Sequence, residues 1–258
     1  MADCKTFRIA DYNMGDYTGE GFADGSDEGI AAYREVMAKV NADLWAAQTD
    51  IPFYGRQNGR SPRKVLFSDW KHYEGIGTWQ YNYKAYITNH CITPCERVYY
   101  ESTLDFRYSL GNKAFRHPWF LTASIEICGK KVQLINIHVD WADTRVRGEQ
   151  FRQIREYAKK FEYCIIIGDF NPNDCLDMKG VSDRITDKED LAPFIEEGYV
   201  VANGGEFGLF NTLPTSKYAP VACDNILVTP NIKLVNAGVH TEPWMNDHAI
   251  LWADITVE

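Results

Sequence analysis

A mixed α/β fold built in layers is what this sequence predicts, on three observations. Apolar residues alternate with a period of two in several stretches and recur at helical spacing in others, in the order strand–helix–strand. The stretch from Cys164 through Ile165, Ile166 and Ile167 reads as a buried strand, and it delivers Gly168, Asp169, Phe170 and Asn171 to a sheet edge. The composition is that of an ordinary globular chain, with 45% hydrophobic and 24% charged residues in 258 positions.

The elements follow in order. Residues 7–13 alternate apolar and polar and predict a first strand ending in Asn13, a residue that suits a turn or a strand-end ligand equally. A Gly-rich segment follows, and then Ile30, Tyr33, Met37 and Val40 mark one face of a helix begun at Asp27. Residues 42–48 predict the second strand. Residues 52–75 read as a solvated loop, or as a phosphate-contacting patch built on Arg56, Arg60, Arg63 and Lys64. Strands are expected at 83–88 and 97–101, and a hairpin over 119–127 and 131–138 turns at Gly129 and ends in His138. A lone His at such a position is more often structural than catalytic. Residues 145–160 predict an amphipathic helix with Val146, Phe151, Ile154, Tyr157 and Ala158 inward.

In the Cys164 strand, Gly168 is expected to break the run. If the chain stays extended beyond it, Asp169 and Asn171 face the same way until Pro172 stops it. Residues 173–190 read as a polar loop, 191–197 as a short helix and 210–214 as a turn. Another strand, at 222–229, carries Asp224 near its start, and Asp247 and His248 stand just before the closing strand. No repeat and no composition shift appears, so one domain over 1–258 is expected.

The net charge of −9 and pI near 5.2 exclude a strongly basic nucleic-acid clamp. They do not exclude a nuclease, because a bound metal and a local basic patch can outweigh the global sign. The seven cysteines form no zinc pattern, although Cys91 and Cys95 are close, and Cys128, Cys164 and Cys223 read as buried free thiols. No apolar N-terminal signal segment and no membrane-spanning run is visible, so a soluble protein is expected.

Asn13, His138, Asp169, Asn171, Asp224, Asp247 and His248 all stand at strand ends. Carboxylates suit a hard divalent metal. A His oriented by an Asp can act as general base, and phosphate-ester cleavage needs both parts. Four pieces in fixed order then carry a resemblance that covers nearly the whole chain. They are Asn136-Ile137-His138, Ile167-Gly168-Asp169-Phe170-Asn171, the run from Cys223 to Val228, and Asn246-Asp247-His248-Ala249. In these the chain resembles the endonuclease/exonuclease/phosphatase superfamily, which has the deoxyribonuclease I-like fold. The resemblance implies an α+β four-layer sandwich, two packed mixed β-sheets flanked by helices. It implies that Asn13 and Asn171 hold the scissile phosphate or the metal shell, and that His138 donates to a phosphate oxygen. Asp169 orients the attacking water or serves the leaving group, and Asp247 is a metal ligand. Asp224 orients His248, the general base or transition-state stabiliser.

One departure matters. The family's second strand usually ends in Gln-Glu, and that Glu is the principal metal ligand; here the residues are Gln48, Thr49 and Asp50. Thr49 is neutral, and in a regular strand Asp50 points to the opposite face unless a bulge re-aims it. The expectation is a phosphoesterase dependent on Mg²⁺ or Mn²⁺, monomeric, with nucleic acid slightly favoured as substrate. The alternative is a catalytically impaired relative that serves as a binding module.

Overall fold

A computed structural model describes residues 6–14, 26–49, 61–77, 83–101, 119–140, 144–171, 188–214, 221–241 and 246–257. In chain order the elements are β1 (Phe7–Asn13), α1 (Asp27–Val40), β2 (Leu44–Gln48), α2 (Pro62–Leu66), β3 (His72–Ile76), β4 (Lys84–Thr88), β5 (Glu96–Tyr99) and β6 (Trp119–Ile127). They continue with β7 (Lys130–His138), α3 (Thr144–Ala158), β8 (Cys164–Asp169), α4 (Lys188–Glu196), β9 (Val200–Val201), β10 (Asp224–Val228), β11 (Ile232–His240) and β12 (Ile250–Val257).

The strands form two six-stranded mixed sheets. One has the order β11-β12-β1-β2-β4-β3 and the other β5-β6-β7-β8-β10-β9. Alternation decides which side chains go where. Ile165 and Ile167 enter the core between the sheets, together with Ile9, Leu44, Leu134, Ile226 and Leu251. Cys164 and Ile166, one residue out of phase, face the helix side with Phe151, Ile154 and Phe194. A third core joins α1 and α2 to the outer face of the first sheet, through Ile30, Tyr33, Met37, Leu66 and Trp45. The result is the four-layer sandwich, helix–sheet–sheet–helix. Each fully buried isoleucine of β8 contributes on the order of 1.5–3 kcal/mol, so this strand is strongly committed to its place.

Local signals set the helix ends. Ser26 caps α1 by accepting from Gly29 N at 3.1 Å, Asp27 and Glu28 stand in the first turn, and Asn41 closes the helix in the left-handed conformation. Four elements lie outside the sequence expectation. Edge strand β3 is half-buried, with Glu74 and Gly75 exposed, and shows no clear apolar alternation, and α2 is a single turn begun by Pro62. β9 has two residues, and β11 changes phase at an irregularity between Leu234 and Asn236. Gly168 does not end β8; it stays in the ladder opposite Ile137, and the strand runs on to Asp169. Among the cysteines, Cys164 and Cys223 are buried free thiols as expected, whereas Cys128 is exposed and carries a disulfide.

Candidate active site

Five strand ends meet at one rim of the sandwich. In the first sheet β1 and β2 run parallel and finish side by side, with Asn13 opposite Gln48. In the second, β7 and β8 run parallel and place His138 opposite Asp169, while β10 begins with Asp224 opposite Asp169 from the other side. The carboxyl ends of parallel strands are where α/β proteins build sites, because side chains there are fixed by the sheet yet face an opening. Gly168 permits this register. Its φ is +145°, and a Cβ there would lie 2.1 Å from the carbonyl oxygen of Ile137.

The side chains form one connected set across both sheets. Asp224 Oδ2 holds His248 Nδ1 at 2.9 Å. Asn13 Nδ2 donates to Asp169 Oδ2 at 2.9 Å and lies 3.3 Å from His248 Nε2. His138 Nε2 is 3.6 Å from the same Asp169 oxygen, and His248 Nε2 is 3.9 Å from it. Asp169 is therefore the centre, approached by two imidazoles and one amide. Asn246 accepts from the His248 backbone N–H at 2.6 Å and donates to the Tyr33 hydroxyl at 3.2 Å, so α1 helps fix the His248 loop.

Burial makes the electrostatics strong. His138 is pushed down to about 3, by desolvation first and then by the nearby charges of Lys84 and His248. His248 goes the other way. Burial alone lowers it, but Asp224, Asp247 and Asp169 together hold it well above the usual imidazole range. Asp169 is raised by burial and by the facing Asp224 charge. The two histidines are thus split, a neutral His138 and a cationic His248 on opposite sides of one carboxyl group.

The structure brings together Asn13, His138, Asp169, Asp224 and His248. Asn171 follows β8 in the left-handed region at φ +41°, rather than continuing the extended run. Its backbone N–H donates to Asp169 Oδ1 at 2.9 Å and its amide to the Val139 carbonyl at 3.0 Å, so it braces Asp169 and the end of β7. Asp247 is not within the tight group, yet its charge acts on His248, Tyr12 and Tyr33. Asp50 lies outside the described residues, as do Arg56 and Arg60. Arg63 stacks on the Tyr83 ring at 3.9 Å, and Lys64 is exposed.

Thr49 leaves β2 at φ +47°, a strained value for a β-branched residue, and sets its hydroxyl 3.4 Å from His138 Nδ1. It therefore looks into the cleft. Among the described residues, one cluster of His, Cys, Asp or Glu side chains could share an ion. It consists of Asp169, Asp224 and His248, whose ligand atoms lie within 4.8 Å of one another. Asp224 Oδ1 and Asp247 Oδ1 are buried without a hydrogen-bond partner among the described residues. Oxygen donors left open in this way fit a hard divalent cation.

Sequence reasoning missed the polar floor beneath the site. Gln48 Nε2 donates to Asp11 Oδ1 at 2.7 Å and to Asn136 Oδ1 at 2.9 Å, and Asn136 donates to the carbonyls of Ala47 and Ala85. Asp11 is fully buried, and its carboxyl is raised by desolvation and by Asp224. The available signal was strand phase. Asp11 alternates with Ile9 and Asn13, and Gln48 with Leu44 and Ala46, so both face the partner sheet.

No protein-family model matches the sequence, and no curated protein matches it. Solved structures do match in shape. An endonuclease/exonuclease/phosphatase family protein from Bacteroides thetaiotaomicron superposes with a TM-score of 0.68 at 16% identity, over 99% of both chains. A mannosyl-6-phosphatase from the same organism gives 0.67 at 16% identity, over 97% of this chain and 99% of that one. D. rerio TDP2, solved with a single-strand DNA product, gives 0.67 at 13% identity, over 98% and 100%. At such identities the likeness is one of architecture, and the architecture of this chain is that of the endonuclease/exonuclease/phosphatase proteins.

Proposed function

We propose that the protein is a metal-dependent phosphoesterase, with its reaction centre between Asn13, His138, Asp169 and His248. The observation that carries this is the Asp224–His248 pair facing Asp169 across the Asn13 amide. The chemistry follows from the charges. A cationic His248, anchored by Asp224, stabilises negative charge that grows on phosphoryl oxygens in the transition state. Neutral His138 has an N–H to donate to a non-bridging oxygen. Asp169, raised by burial and held by Asn13 and Asn171, is placed to orient a water or protonate a leaving oxygen. Asp169 and Asp224, with the open oxygen of Asp247 nearby, are the residues that would hold the divalent ion. When bound, it neutralises phosphate charge and polarises the phosphoryl oxygens. The fold is shared with a protein named as a phosphatase and with one solved on single-strand DNA. Substrates from phosphorylated metabolites to nucleic acid therefore belong in the same screen. Among the described residues no helix is long and apolar enough to cross a membrane.

The test is hydrolysis of a phosphomonoester panel, a bis-aryl phosphodiester and plasmid DNA. EDTA is expected to abolish turnover, and Mg²⁺ or Mn²⁺ to restore it. Undiminished turnover after exhaustive chelation contradicts metal dependence.

A second reading, a binding module of impaired catalysis, is favoured by one observation: the cleft position next to His138 holds the neutral Thr49. Thr49→Glu separates the two. Glutamate is not β-branched, so it relieves strain at positive φ while adding an anionic ligand. The Mg²⁺ concentration for half-maximal rate is expected to fall by about tenfold, the order of one added carboxylate contact. Asp50→Ala is the companion variant. If neither changes metal affinity and the wild type binds no metal at millimolar concentration, the binding module is the correct reading.

A further inference from the structure

The wall of the cleft beside His138 carries positive charge that the reaction centre leaves unpaired. Lys84 begins β4 opposite Gln48. It shares a strand phase with Tyr86, a residue of the inter-sheet core, so its side chain enters the sandwich. It is 2% exposed. Its Nζ lies 4.3 Å from the centroid of the Trp119 ring, and the guanidinium of Arg97 lies 5.0 Å from the same ring. In the β6–β7 register Leu121 opposes Asn136, so Trp119, two residues before Leu121 on the same face, lies at the His138 end of the pair.

No carboxylate forms an ion pair with Lys84 or Arg97 among the described residues. Two cations therefore share one indole, one of them buried, and no anion sits between them. Burial and the Arg97 charge lower the Lys84 ammonium to about 7, while Asp169 pulls in the other direction. Lys84 follows Tyr83, whose carbonyl accepts from the Thr49 N–H, and the Thr49 hydroxyl lies 3.4 Å from His138 Nδ1. The start of β4 therefore borders the reaction centre, and the Lys84 charge also lowers His138. A buried ammonium beside a second cation is costly, and the ring quadrupole offsets only part of that cost. An anion drawn to this pair would relieve it.

We propose that Lys84 and Arg97, seated on Trp119, form a subsite for the phosphoryl group of a phosphate monoester and make this chain selective for monoesters over diesters. The proposal rests on the phosphoesterase reading and names its substrate class. The charge balance points to the monoester. At neutral pH a monoester phosphate approaches two negative charges, whereas a diester carries one. Beside His138 the cleft has a neutral Thr49 and the buried cation of Lys84. Both features favour the more highly charged anion.

The experiment compares p-nitrophenyl phosphate with bis(p-nitrophenyl) phosphate, each with added Mg²⁺, for the wild type, Lys84→Met and Arg97→Gln. Methionine keeps the length and suits a buried site. Arg97 is half-buried, so its variant is the safer one for folding. Wild type is expected to prefer the monoester. In Lys84→Met, kcat/KM for the monoester should fall about 10- to 100-fold, as for one lost charge-assisted hydrogen bond, and the diester value should fall by less. Arg97→Gln should move the ratio in the same direction. An unchanged ratio in both folded variants overturns the subsite and leaves the phosphoesterase standing. Calorimetric binding of inorganic phosphate separates the two claims. If the wild type hydrolyses neither ester yet binds phosphate, and Lys84→Met does not, the subsite holds and the phosphoesterase reading falls. If the wild type binds no phosphate, the subsite is wrong.

Discussion

His248→Ala is expected to remove nearly all hydrolysis, by about 10²–10⁴ in rate, which is the usual worth of a positioned general acid–base or charge-stabilising group. His248 is the one imidazole in the cleft held as a cation, and Asp224 fixes it at 2.9 Å. The variant leaves Asp224 buried without its partner, so stability should also fall, by about 1–3 kcal/mol for the stranded acceptor. Rates must therefore be measured well below the lowered midpoint, with near-ultraviolet circular dichroism to confirm the fold. Asp224→Asn should cost less. The imidazole remains, but it loses the carboxylate that selects its tautomer and supports its charge. A correctly folded His248→Ala protein with full activity would remove this residue from the chemistry.

Gly168→Ala should be a severely damaging single methyl at the site. The added carbon meets the Ile137 carbonyl oxygen at 2.1 Å and the Ile137 N and C atoms at 2.9 Å, all backbone of the neighbouring strand. No rotamer relieves this, and φ +145° is strained for any L side chain. The β7–β8 pair must separate at the point where it carries His138 and Asp169. Overpacking and backbone strain together are worth about 3–5 kcal/mol, or roughly a 10 °C fall in Tm for a chain of this size. Activity should fall further than stability does, because a 1 Å displacement of catalytic groups costs about 10²-fold. Thermal denaturation checks the first claim and kcat at low temperature the second. An unchanged Tm refutes it.

Much of the fold was legible because period and burial agreed. The alternation in 7–13, the helical face of Ile30, Tyr33, Met37 and Val40, and the Gly129 hairpin all appear where the sequence places them. β11 was illegible because Asn236 and Gly238 interrupt it and an irregularity after Leu234 shifts its phase. At Gly238, moreover, a Cβ would lie 2.6 Å from the Trp252 ring, so close packing there requires a poor strand former. β3 was illegible because it is short and mixed: of its five residues only Tyr73 and Ile76 are apolar, on opposite phases, and each packs on a different core. Of the candidate site, the acids and histidines were visible as a set, since each stands next to an apolar run at its start or its end. Lys84 was not. A lysine inside an alternating strand reads as its solvent face, and only the second sheet packed above it reveals that this face is interior. The turn of Thr49 into the cleft was equally hidden, because it depends on a positive φ that no threonine announces.

The place of β1 has a consequence for how the molecule comes into being. It lies between β2 and β12, with Phe7 paired to Ile255 and Asp11 to Leu251. Among the described strands, β1, the most N-terminal, is completed on one side by β12, the most C-terminal. Asn13 and His248, 235 residues apart, meet over Asp169. Contacts between chain ends carry the largest loop-closure entropy and form late, and a domain emerging from the ribosome is N-terminal first. During synthesis the Asp169 strand is made before the His248 imidazole that approaches it. A chain cut short before Trp252 lacks most of the β12 partner of β1, and on the phosphoesterase reading hydrolytic competence is expected to need that strand.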